Sequence, residues 1–81
     1  MNPHFASLVL GLSQQAEAGL SGQLPGDMNA ADSRKLAQAL IDTLGMLAEK
    51  TVDKLEADEK QLLEQAVTSL RFRYVQTMPK A

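Results

Sequence analysis

Apolar residues return every three or four positions through most of this chain, and the pattern breaks in only two places. A helix with about 3.6 residues per turn gathers such positions on one face, whereas a half-buried strand needs strict alternation. The chain is therefore read as all-α, with amphipathic helices expected near residues 3–20, 30–51 and 57–77. They form a single domain spanning residues 1–81.

Local signals place the ends. Asn2 can cap the first helix, and Pro3 suits its first position, where no N–H needs a partner. Phe5, Leu8, Val9, Leu12, Ala16 and Leu20 then follow helical spacing, with Ala6 and Leu10 widening the stripe, and Gly19 or Gly22 is the expected stop. Residues 21–28 read as a loop in which Leu24-Pro25-Gly26-Asp27 fits a type II turn. Asn29 caps the second helix, whose stripe runs through Leu36, Leu40, Leu44 and Leu47. A short link, about Val52 to Glu56, leads to a third helix with Leu62, Leu63, Ala66, Val67, Leu70 and Tyr74 on its core side. So short a link predicts that helices two and three form an antiparallel αα-hairpin.

Size then shapes the expected assembly. A chain of 81 residues buries only about two-thirds of its unfolded surface, so small domains often draw on disulfides, metals or self-association. With no cysteine, disulfides and thiolate metal sites are excluded. Helix packing and a homo-oligomeric bundle remain.

The same composition narrows function. A net charge of −2 gives no global attraction to nucleic acid or anionic lipid. The longest apolar stretch, Phe5 to Leu12, is too short to span a bilayer, and nothing basic precedes it, as a secretory signal requires. The expectation is a cytoplasmic protein with no membrane partner. His4 is the single histidine and has no carboxylate near it in sequence to orient it. Asp53, Glu56, Asp58, Glu59 and Glu64 cluster, but no turn glycine lies among them and Lys54 and Lys60 offset them, so a solvated helix start is expected rather than a cation site. No serine sits in a nucleophile elbow, and no phosphate loop or dinucleotide fingerprint occurs. The reading is of no enzyme, with no catalytic, metal or cofactor-binding residue.

Three blocks carry a family resemblance: Leu44-Gly45-Met46-Leu47-Ala48-Glu49-Lys50-Thr51, Glu59-Lys60-Gln61-Leu62-Leu63-Glu64-Gln65 and Leu70-Arg71-Phe72-Arg73-Tyr74-Val75. Together they resemble the small bacterial proteins grouped as domain of unknown function 1844. The likeness is clearest over residues 34–76 and looser in the first helix. It implies a short, all-helical bacterial protein and carries no activity with it. The sequence departs from that pattern before helix three, where Asp53-Lys54-Leu55-Glu56-Ala57 stands in place of a Gly-Asn-Leu-Thr-Pro-like lead-in.

The sharpest local feature is Arg71-Phe72-Arg73-Tyr74. Alternating basic and aromatic residues can grip nucleic acid, but on a helix successive side chains point about 100° apart. Tyr74 falls on the core stripe, whereas Phe72 and Val75 fall off it. Gly11 and Gly45 each cost roughly 1 kcal/mol relative to Ala inside a helix, which suggests close backbone approach. The leading expectation is a self-associating interaction module, most simply a two-fold dimer, with Phe5, Val9, Leu12, Phe72, Val75 and Met78 at the chain–chain contact. Two alternatives stand beside it: an adaptor that receives a helix of another protein in an apolar groove, and a nucleic-acid accessory protein acting through Arg71 and Arg73.

Overall fold

The structure is a computed structural model that describes residues 1–22 and 29–77. Those residues form three helices, α1 (Pro3–Ser21), α2 (Ala30–Lys50) and α3 (Ala57–Gln76), with no strand among them. The proposed type II turn at Leu24–Asp27 lies outside the described residues.

Capping explains where the helices begin and end. The Asn2 side chain accepts the N–H groups of His4 and Phe5 at 2.8 and 3.2 Å, and Pro3 follows at the first helical position. Gly22 closes α1 in the left-handed region at φ 71°, with its N–H donated to the Ala18 carbonyl. Asn29 accepts the Asp32 N–H at 2.8 Å to open α2. At the α2–α3 link the chain turns through Asp53 at φ 63°, a conformation that Asp tolerates better than most residues. The Glu59 carboxylate then reaches back to the Glu56 N–H at 3.0 Å, which starts α3 without a Thr cap or a proline.

All three helices contribute to one core. Val9 and Ala16 of α1, Ile41 and Leu44 of α2, and Leu63, Val67 and Leu70 of α3 are buried together. Phe5, Leu12, Leu20, Leu40, Leu47, Leu62 and Tyr74 pack against them, partly buried. The start of α1 meets the start of α3, where the Asn2 N–H donates to Glu59 at 2.9 Å. The end of α1 meets the end of α3, where Arg73 donates to the Ser21 hydroxyl at 3.4 Å. Arg34, in the first turns of α2, donates to the Thr77 carbonyl and hydroxyl at 3.0 Å each.

Two expectations are corrected. Leu36 is 38% exposed rather than central, because it stands about 80° around the helix from Leu44 at 100° per residue. Gly11 and Gly45 meet no neighbouring backbone: a Cβ at Gly11 would find nothing within 4 Å, and one at Gly45 would meet only the Arg71 guanidinium at 2.9 Å. The close approach is at Gly19, where a Cβ would lie 2.8 Å from the Ser33 carbonyl oxygen and 3.1 Å from the Ala37 Cβ. Gly19 therefore does not end α1. It lets α1 and α2 touch.

Candidate interaction surface

Phe72 and Val75 stand on α3 with 64% and 65% of their surface exposed. They follow from helix geometry. Leu63, Val67 and Leu70 fix the buried line, and Phe72 lies about 180° from it at 100° per residue. Val75, three positions further, shares the outer side with Phe72 and borders a shallow cavity of about 300 Å³ with Gln38, Ile41 and Asp42 of α2. Neither is covered by α1.

The α1 residues expected to join them are used differently. Val9 is fully buried, and Phe5 and Leu12 are half-buried against the core. A side chain with no exposed surface cannot reach a second chain, so Val9 belongs to the fold and not to an interface. The physical reason is that the stripe through Phe5, Val9, Leu12 and Ala16 is the one α1 turns onto α2 and α3. What α1 leaves outside is Leu8, 48% exposed, and Leu10, 50% exposed. Met78 lies outside the described residues.

The basic–aromatic run does not act as one unit. Arg71 extends its guanidinium over Gly45. Arg73 turns toward Ser21 on α1. Tyr74 is half-buried, with the Arg34 guanidinium carbon 4.0 Å from its ring centroid and its hydroxyl donated to Gln38 at 3.3 Å. Phe72 alone points away from all three helices' shared core.

A second concave feature adjoins this side. Leu10, Ser13, Gln14 and Glu17 of α1 face Leu62, Gln65, Ala66, Ser69 and Leu70 of α3 across a shallow groove of about 280 Å³. The Ser13 hydroxyl donates to the Val9 carbonyl of its own helix at 2.7 Å, so it places no polar demand on the groove. Sequence patterning marked Leu10 only as a widening of the α1 stripe. The partner wall comes from a helix some 50 positions away, and no local signal announces it.

The acidic residues before and within the first turn of α3 are not simply solvated. Glu59 is 6% exposed and accepts the N–H groups of both Asn2 and Glu56. Those two hydrogen bonds, Asn2 first, hold its carboxyl below the ordinary glutamate pKa. The Met1 ammonium lies 3.5 Å from both Glu56 and Asp58, and these charges, Asp58 first, raise its pKa. His4 is exposed in the first turn of α1. Among the described residues no group of three or more His, Asp or Glu side chains is placed to hold a metal ion. No helix among them is long and apolar enough to cross a membrane.

The three blocks that carry the family resemblance lie at the end of α2 and along α3. The model for "Domain of unknown function (DUF1844)" matches residues 2–76. The chain belongs to this family. No curated protein and no solved structure matches it. Membership of the DUF1844 family spans all three helices, so the Phe72–Val75 segment and the α1–α3 groove both lie within the matched region.

Proposed function

We propose that this DUF1844 family member is a non-enzymatic, self-associating interaction module, in which α2 and α3 form an antiparallel hairpin and the outer side of α3 docks on a second copy. One observation carries the reading: Phe72 and Val75 stay about two-thirds exposed, one turn apart, after all three helices have packed. Scattered apolar residues on a surface are ordinary, but a phenyl ring and a valine adjacent on one helix side make a compact apolar patch, and aromatic residues including Phe are enriched at interfaces. Phe5, Val9 and Leu12 serve the core instead, so the proposed contact rests on the α3 residues. The chain–chain contact should bury at least about 1,000 Å² in total.

Substituting Phe72→Glu together with Val75→Lys tests it. Both positions are exposed, so helix content by circular dichroism should be retained while sedimentation shows the assembly dissociating. An assembly that survives the double substitution contradicts the placement.

The adaptor reading uses the same surface with a different occupant, and is distinguished by a chain that stays monomeric yet retains a heterologous helix. The nucleic-acid reading gains less support, since Arg71, Arg73 and Tyr74 each turn to a different neighbour.

A further inference from the structure

Resting on that proposal, we infer that Phe72 of each copy enters the α1–α3 groove of the other. The groove and the ring share one side of the molecule. Ser69 lines the groove, and Phe72 follows it by one helical turn; Gln65, also in the wall, precedes Phe72 by two turns. A knob and a hollow on one face are exchanged by a two-fold axis that lies in that face, midway between them and perpendicular to the line that joins them. The midpoint here falls beside Ser69. This is the arrangement an isologous dimer requires, where one patch contacts itself and each contact is made twice.

Size and chemistry fit the ring. A groove of about 280 Å³ exceeds the roughly 150 Å³ known to suffice for a benzene ring in an apolar cavity. Its apolar lining is Leu10, Leu62, Ala66 and Leu70, with Leu10 half exposed, Leu70 buried and the Ser13 hydroxyl donated to its own backbone. Charge is complementary as well. Glu17 stands on the groove rim, while Arg73, next to Phe72 in sequence and turned to the α1 side, carries the opposite charge, and neither makes an ion pair among the described residues. A ring arriving in the groove brings these opposite charges together. Leu8, equally exposed on α1, lies about 200° around the helix from Leu10 and takes no part.

The test compares Leu10→Glu with Leu8→Glu in the full chain, and adds a cysteine at the axis. Neither leucine is core, so both variants should fold, as checked by circular dichroism. Leu10→Glu should raise the dimer dissociation constant by about tenfold or more, and Leu8→Glu should leave it unchanged. Because the natural chain has no cysteine, Ser69→Cys places a single thiol beside the axis. Under mild oxidation it should give a covalent dimer, whereas Val52→Cys, exposed on the α2–α3 link, should not. If the chain dimerises through Phe72 but Leu10→Glu behaves like Leu8→Glu, or Ser69→Cys links no faster than Val52→Cys, the groove is not the receptor and the dimer reading survives. A chain that is monomeric throughout overturns both.

Discussion

The Glu59 carboxylate accepts the backbone N–H of Asn2 at 2.9 Å across 57 positions of sequence. One side chain thereby joins the N-cap of α1 to the first turn of α3, while its other oxygen accepts from Glu56 at 3.0 Å. Both bonds need the ionised acid as acceptor.

Stability should therefore fall in acid through this residue. A carboxyl whose folded pKa is lowered contributes stability that is present above the ordinary glutamate value, about 4.3, and is lost as pH falls through the folded value. Melting temperature followed from about pH 6 to pH 3 should drop, and Glu59→Gln should flatten that drop while lowering the melting temperature at pH 6. An unchanged slope in the variant would mean that other carboxyls govern the acid limb.

The core makes a plainer claim. Leu44 is fully buried in the core cluster that also holds Val9, Leu63 and Leu70, so Leu44→Ala should cost about 2–5 kcal/mol by lost transfer energy and a residual cavity. Denaturant titration checks this. A loss below about 1 kcal/mol would mean that the site is solvated or collapses freely.

Two glycines in one helix should respond with opposite signs. Gly11→Ala adds a methyl group to open space and gains helix propensity, which should stabilise the fold by about 0.5–1 kcal/mol. Gly19→Ala must displace the Ser33 carbonyl 2.8 Å away and should destabilise it. Equal effects of the two would contradict the close α1–α2 contact.

Arg34 clamps the far end of the molecule. It donates to the Tyr74 carbonyl and to the carbonyl and hydroxyl of Thr77, where the last turn of α3 has carbonyls to spare, and it covers the Tyr74 ring. Arg34→Met should cost about 1–3 kcal/mol and speed amide exchange at the end of α3. Arg34→Lys should restore only part, because an ammonium lacks the planar fork. A full rescue by Lys would reduce the clamp to charge alone.

The helices were legible because their cues are local. Asn2, Pro3, Gly22 and Asn29 act on neighbours within four positions, and the stripe through Leu63, Val67 and Leu70 repeats with the helix itself. Phe72 and Val75 were legible for the same reason, since being off that stripe is a property of spacing. The contacts that needed the fold are those between helices. Nothing near Arg34 points to Tyr74, nothing near Glu59 points to Asn2, and Gly19 looks like a terminator until α2 is laid against it. Val9 was misplaced because a broad stripe on α1 offered too many candidates for the outside, and only packing shows which of them turn inward.

The central claim is that this chain pairs with itself through the outer side of α3, and sedimentation equilibrium of the unmodified protein over a wide concentration range tests it most directly. The account predicts a reversible monomer–dimer equilibrium whose mass approaches twice 8.8 kDa. That equilibrium should shift to monomer in Phe72→Glu/Val75→Lys without loss of helix. A constant mass of 8.8 kDa at every concentration would contradict it.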